Sequence, residues 1–138
     1  MEKQVYENCF ICGKDNPVGL KLIFQYGENS AFTKIKLSRN YEGYPSVIHG
    51  GIVAALLDEV MAKAILNKGV EAVTVEINLK YKSPLEVEKE YFLSSKIIKM
   101  KSKIVLCEAS IVSLDGKLVA EADGKFFIVN LESLKNKE

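Results

Sequence analysis

The chain has too little histidine and cysteine for several common kinds of site. Its 138 residues include one histidine and three cysteines. With His49 as the single histidine, neither Cys107 nor any serine has a convincing set of relay partners for nucleophilic catalysis. Three cysteines also fit reduced thiols better than the even, dense set of a disulfide framework.

An excess of charge of either sign is missing too. The formal net charge is +1, from 19 lysines and arginines against 18 acidic residues. Without a strongly basic field, nucleic acid is a poor candidate partner, and no phosphate loop or dinucleotide fingerprint is present. The opening residues, Met1 to Asn8, are polar and charged. We therefore expect no signal peptide, no membrane attachment and a cytoplasmic protein.

A long apolar run dominates the middle of the chain. Residues 52–66 contain no Gly or Pro, are rich in Ala, Leu and Met, and carry only three charges, Asp58, Glu59 and Lys63. A run of fifteen residues is shorter than the roughly 20 needed to span a bilayer, so it predicts a helix buried in protein. Glu59 and Lys63 are spaced for an ion pair and are expected at the exposed edge of this helix.

Strands are predicted on both sides of the helix. Alternating apolar residues predict a hairpin before it, and four strands are predicted after it, with turns at Lys68–Gly69 and Asp115–Gly116. The predicted strands cover residues 20–26, 31–37, 73–82, 90–99, 103–113 and 117–129. One helix against one curved antiparallel sheet of five or six strands is an α+β domain spanning residues 1–138. Exposed strand edges lead us to expect at least a dimer.

The two ends of the chain have their own patterns. Cys9, Cys12 and Gly13 form a tight knuckle within residues 1–19, followed by Asn, Pro and Gly. One knuckle supplies half of a zinc site, and Cys107 and His49 do not make up the missing ligand pair. A packed turn without a metal is therefore expected. The charged tail, residues 131–138, is expected to fray.

The start of the predicted helix is the candidate chemical site. His49, Gly50 and Gly51 precede the apolar run, and a helix start offers free backbone amides to which a substrate oxygen can bind. The Gly51 amide would stabilise charge on a carbonyl oxygen, although a plain helix entry with a capping histidine fits equally. Asp58 lies about 10 Å further along the helix and has no partner on it. It is either a general base or nucleophile, with a substrate lying along the helix or a site completed across a dimer, or an aspartate that meets solvent or a strand residue.

These residues resemble a known family. The segment from Pro45 to Asp58, with His49, Gly50, Gly51 and Leu57 in order, is similar to the signature of hotdog-fold acyl-CoA thioesterases of the PaaI-like type. The opening knuckle and the strand with Thr74, Asn78, Tyr81 and Pro84 extend the resemblance. It implies a central helix wrapped by an antiparallel sheet, assembly as a homodimer or a dimer of dimers, and hydrolysis of acyl-CoA thioesters without a cofactor.

The resemblance also implies roles for individual residues. Asp58 would activate water or attack the thioester, the Gly51 amide would hold the carbonyl oxygen, and His49 would shape that end. Thr74 would help hold the water, and strict strand alternation predicts that it faces away from its own helix and serves a neighbouring subunit. Substrate binding is assigned to Gly50, Asn78, Lys80 and Lys82. Ser83 stands where relatives often have arginine, so Lys80 or Lys82 would take over the contact with a coenzyme A phosphate. Glu59 is the second choice for the carboxylate.

Two alternatives to the thioesterase remain. The same pocket would serve a non-catalytic acyl-CoA-binding module, or a hotdog hydratase or dehydratase acting on acyl thioesters. Retention of Asp58 and Thr74 argues against the first, and a different histidine and carboxylate arrangement argues against the second.

Overall fold

The computed structural model describes residues 6–130, so the predicted tail lies outside the described part of the chain. The elements follow the predicted order of two strands, one helix and four strands. Their bounds are β1 Gln25–Gly27, β2 Ser30–Lys36, α1 Gly50–Leu66, β3 Glu71–Tyr81, β4 Glu90–Lys101, β5 Ile104–Ser113 and β6 Leu118–Val129. The predicted turns form at Gly69 and Gly116, where the backbone is left-handed with φ of 88° and 89°.

All six strands form one sheet. Their order across it is β1-β2-β4-β5-β6-β3, and each neighbouring pair is antiparallel. The sheet curves around α1, which packs against β2 to β6. This confirms the predicted α+β architecture and the hotdog fold, in which a sheet wraps one central helix.

Small residues on β6 let the helix lie close to the sheet. Ala120, Ala122 and Gly124 alternate along the buried face of that strand. A Cβ atom at Gly124 would come within 2.8 Å of the Met61 sulfur, which leaves no room for a side chain there. The helix is buried along most of its length, and none of the helices among the described residues is long and apolar enough to cross a bilayer.

The first predicted strand is mostly not part of the sheet. Leu20, Leu22 and Phe24 do face the core, as their alternation indicates. The ladder with β2, however, covers only Gln25 to Gly27. The preceding segment instead donates backbone hydrogen bonds to the knuckle, from the Leu20 amide to Phe10 and from the Leu22 amide to Ile11. The knuckle has therefore taken the place of a longer hairpin.

Candidate active site

The helix begins earlier than predicted because His49 caps it. The His49 backbone has φ −54° and ψ 133°, outside the helical region, and α1 starts at Gly50. The His49 ring accepts a hydrogen bond at Nδ1 from the Gly51 amide, 2.9 Å away, and its carbonyl accepts from the amides of Ile52 and Val53. The two glycines are thus the first helical residues. The sequence left open whether His49 simply caps the helix, and the structure shows that it does cap it.

This cap leaves one amide of the first turn without an acceptor. Among residues 6–130, no group accepts a hydrogen bond from the Gly50 amide, whereas the Gly51 amide is held by His49. The Tyr81 hydroxyl donates to the Gly50 carbonyl at 2.7 Å and fixes this turn against the end of β3. Tyr81 was among the strand residues that carried the family resemblance, but the sequence assigned it no role.

A cavity of about 390 Å³ adjoins this turn. Its lining joins the helix start to the end of β3 and the Pro84 turn, and includes Gly50, Tyr81, Lys82 and Ser83. Apolar side chains form much of the rest, among them Val53 and Leu85. The cavity therefore offers an apolar wall, one cation and the unpaired Gly50 amide at one place.

Asp58 pairs with a strand residue of its own chain. The Thr74 hydroxyl donates to Asp58 Oδ1 at 2.6 Å, and the Asp58 side chain is half-buried. The expectation that Thr74 faces away from its own helix is wrong. The cause is a β-bulge: Thr74 pairs with Phe126 and Glu76 with the next residue, Lys125, so Val75 is an extra residue. The bulge reverses the alternation and turns Thr74 toward the helix.

The residues assigned to substrate binding on β3 and directly after it divide into two groups. Asn78 and Lys80 line a hollow of about 610 Å³ on the face of the sheet opposite the helix, beside Glu121 and Asp123. Lys82 lines the cavity at the helix start and forms an ion pair with Glu121 at 3.9 Å. Only Lys82 therefore lies beside the helix start within one chain.

Glu59 and Lys63 form their predicted ion pair, at 3.6 Å, but not at an exposed edge. Lys63 is only 8% exposed, because the knuckle covers this side of the helix. The thiols of Cys9 and Cys12 both donate to Glu59 Oε2, at 3.5 Å and 3.4 Å. The pKa of the Cys12 thiol is raised to about 12, chiefly by burial and in addition by the neighbouring Cys9 and Glu59, against the opposing effect of Lys63. Glu59 is thus turned toward the knuckle, on another side of the helix from Thr74.

The two halves of the candidate site are apart within one chain. The Gly50 amide and Asp58 are eight positions apart on α1, which corresponds to about 12 Å along the axis. A carbonyl oxygen bound at Gly50 would therefore be out of reach of a water held by Asp58. Both halves lie beside β3, since Tyr81 contacts the first and Thr74 the second.

Comparisons with known proteins agree with this architecture. Residues 46–120 match the family model of the thioesterase superfamily, a span that includes the helix start, Asp58 and Thr74. The acyl-coenzyme A thioesterase THEM4 of Mus musculus is 28% identical over 92 residues, which are 66% of this chain and 40% of that protein. The chain therefore spans less than half the length of this relative.

Solved structures share the fold. The thioesterase superfamily protein RHA08564 aligns with TM-score 0.82 and 22% identity over 87% of this chain and 63% of its own. A hypothetical thioesterase protein of Streptococcus pneumoniae TIGR4, solved with coenzyme A, aligns with TM-score 0.73 and 15% identity over 77% of this chain and 83% of its own. The PaaI protein of E. coli aligns with TM-score 0.71 and 19% identity over 75% of each chain. Because the family model covers more than half of its residues, this chain belongs to the thioesterase superfamily.

Proposed function

We propose that the protein hydrolyses acyl-CoA thioesters to a free acid and coenzyme A. The observation that carries the proposal is the hydrogen bond from Thr74 to Asp58, at 2.6 Å, on a half-buried helix face. In this position Asp58 is the general base, and Thr74 orients its carboxylate and the water that it deprotonates. The fold relative from S. pneumoniae was solved with coenzyme A, which supports a coenzyme A ester as the substrate.

The carbonyl of the thioester binds at the helix start. Attack by water places negative charge on the carbonyl oxygen, and a backbone amide at a helix start stabilises that charge. We assign this role to the Gly50 amide rather than to Gly51, since His49 already accepts the hydrogen bond of the Gly51 amide. His49 then acts by holding the first turn in place. Collapse of the tetrahedral intermediate releases the coenzyme A thiolate, which takes up a proton.

A second copy of the chain completes the site. Strand β3 lies at the edge of the sheet and pairs only with β6, although it is 11 residues long. Val73 and Val75 on it are 37% and 55% exposed. An exposed, apolar edge strand of this length favours pairing with another strand, and a two-fold axis would pair β3 with its own copy.

The positions along β3 favour a shared site. An antiparallel β3 pair centred on Asn78, with Val75 again an extra residue, places Thr74 of one protomer opposite Tyr81 of its partner. Because Thr74 holds Asp58 and Tyr81 holds the Gly50 turn, each base then approaches the carbonyl site of the other protomer. The dimer would contain two such sites. Lys82, beside the Gly50 cavity, is then the residue placed for a phosphate of coenzyme A, while Asn78 and Lys80 on the outer face would meet substrate only from another subunit.

Hydrolysis of a panel of acyl-CoAs, followed by thiol release, tests the reaction. We expect turnover by the wild type and a loss of about 10²-fold or more in kcat for Asp58→Asn. Absence of thiol release by the wild type, with equal acyl-CoA binding by wild type and Asp58→Asn, would instead indicate the binding module. Loss of enoyl-CoA absorbance without thiol release would indicate a hydratase.

Mixing two inactive variants tests the shared site. Gly50→Pro removes the carbonyl donor and Asp58→Asn removes the base, so a mixed dimer keeps one intact site if the two groups come from different chains. Random exchange makes half of the dimers mixed, so about a quarter of the wild-type activity should return. A site contained in one chain would give no recovery. Light scattering on the same samples reports whether dimers are present.

A further inference from the structure

The knuckle and the helix bring three metal-ligand groups together. The thiols of Cys9 and Cys12 and the carboxylate of Glu59 have ligand atoms within 4.8 Å of one another, and no other such group of three occurs among residues 6–130. The expectation of no metal counted only cysteine and histidine as further ligands, whereas the fold supplies a carboxylate. We propose that Cys9, Cys12 and Glu59 bind a zinc ion.

The distances fit a tetrahedral zinc ion. Zn–S bonds of about 2.3 Å and Zn–O bonds of about 2.0 Å at tetrahedral angles place sulfur and oxygen about 3.5 Å apart. The observed distances from Glu59 Oε2 are 3.5 Å to the Cys9 sulfur and 3.4 Å to the Cys12 sulfur. The Cys12 amide also approaches the Cys9 sulfur, at 3.4 Å, as in a knuckle that turns both thiols to one side. Zinc therefore needs little rearrangement of its three ligands.

Lys63 balances the charge of the complex. Binding of Zn²⁺ to two thiols and one carboxylate releases two protons and leaves a complex of net charge −1. The Lys63 ammonium lies 3.6 Å from Glu59 and is largely buried, so the group as a whole becomes neutral. Its flexible stem lets the ammonium withdraw to the outer side of the carboxylate as the ion enters. Lys63 is a charge-balancing neighbour and not a ligand.

Water has access to the fourth position. A cavity of about 160 Å³ is lined by Tyr6, Cys9, Glu59, Lys63 and Glu71, together with apolar residues of α1, of β3 and of the turn between them. A water molecule reaching zinc from this side would complete four-coordination. The ion would tie the knuckle to α1 at the residue directly after Asp58. Its role is therefore structural, holding the helix that carries the base.

Titration with Co²⁺ under reducing, metal-free conditions tests the proposal, because thiolate-bound cobalt absorbs in the near ultraviolet and tetrahedral cobalt in the visible. We expect one equivalent of Co²⁺ to produce both bands and Zn²⁺ to abolish them by displacement. Cys9→Ser and Cys12→Ser should each lose the tetrahedral spectrum. Cys107→Ala is the matched control, since this third thiol is buried in the core away from the knuckle, and it should bind as the wild type does.

Glu59→Gln and Lys63→Met distinguish the role of Glu59 as a metal ligand from the role of Lys63 as a charge-balancing neighbour. Glu59→Gln should weaken binding and change the visible spectrum, while Lys63→Met should weaken binding and leave the spectrum unchanged. The proposal is overturned if wild type gives no thiolate band, if Cys9→Ser binds as wild type does, or if Cys107→Ala abolishes the band. Circular dichroism of each variant confirms that it is folded, and Cys9→Ser, a near-isosteric change at a half-buried site, is the decisive variant.

Discussion

Replacing Gly50 with proline removes one hydrogen atom from the proposed carbonyl site and leaves the backbone in place. Gly50 is the first residue of α1, the position at which proline is best tolerated because its amide has no acceptor within the helix. The preceding residue, His49, has ψ 133°, within the range that proline imposes on its neighbour. A Cβ atom at this position would lie 3.8 Å from the Tyr81 hydroxyl, an ordinary contact.

The expected effect is large in activity and small in stability. Loss of one donor to a developing oxyanion costs about 10²- to 10³-fold in kcat, or about 2.7–4 kcal/mol. Replacing glycine where the backbone is compatible changes the free energy of unfolding by no more than about 1 kcal/mol, and in the stabilising direction. Thiol release from an acyl-CoA measures kcat, and guanidinium denaturation measures stability.

Gly50→Ala is the matched control, since it adds a Cβ atom and keeps the amide. We expect Gly50→Ala to retain kcat within about threefold of wild type, because only an interaction with the amide hydrogen separates the two variants. Equal kcat for Gly50→Pro and Gly50→Ala would refute the assignment of the Gly50 amide. In Gly51→Ala the added Cβ atom would press on His49 Nδ1 at 3.1 Å. If only this variant lost kcat, the carbonyl oxygen would be assigned to the Gly51 amide instead.

Three further predictions follow from the same structure. Thr74→Val should lower kcat by about tenfold or more, since a hydrogen bond to a charged group contributes about 1.5–3 kcal/mol, whereas Thr74→Ser should stay near wild type; equal rates for the two would remove Thr74 from the site. His49→Ala should lower the free energy of unfolding by about 1 kcal/mol through loss of the helix cap, and His49→Asn should restore most of it, as chemical denaturation can measure. Burial raises the pKa of the Cys107 thiol from 9.0 to about 12, so the folded state holds this proton above pH 9 while the unfolded state releases it. Stability from this group is complete below pH 9 and is lost as the pH rises toward 12, and between pH 9 and pH 11 wild type should lose about 2 kcal/mol more in total than Cys107→Ala. Parallel pH profiles for the two proteins would show that Cys107 does not keep its proton.

Periodicity and composition predicted the architecture well because they report burial directly. The apolar run after Gly51 could only be a buried helix, and β4, β5 and β6 begin and end within two residues of the predicted bounds. The family segment from Pro45 to Asp58 also indicated the helix start and Asp58 as the candidate site.

The details that sequence missed depend on neighbours distant in the chain. Burial of Lys63 requires the knuckle to fold over α1, and nothing in the spacing of Glu59 and Lys63 indicates that cover. Likewise, the choice between the Gly50 and Gly51 amides depends on the rotamer of His49, whose ring accepts from one of them. The partner of Asp58 depended on a strand irregularity that no residue type marks.

The extra residue at Val75 changes which residues of β3 face the helix, from even-numbered ones before it to odd-numbered ones after it. After it, odd-numbered residues such as Ile77 and Leu79 face the helix, and before it, even-numbered ones such as Thr74 do. Deleting Val75 would remove the bulge and leave Thr74 facing the helix, because Thr74 would then directly precede the outward-facing Glu76 and would still lie opposite Phe126. Thr74 would turn away from Asp58 only if Val75 took a regular place in the alternation, so the bulge that sets Val75 aside keeps this strand facing a site on the helix.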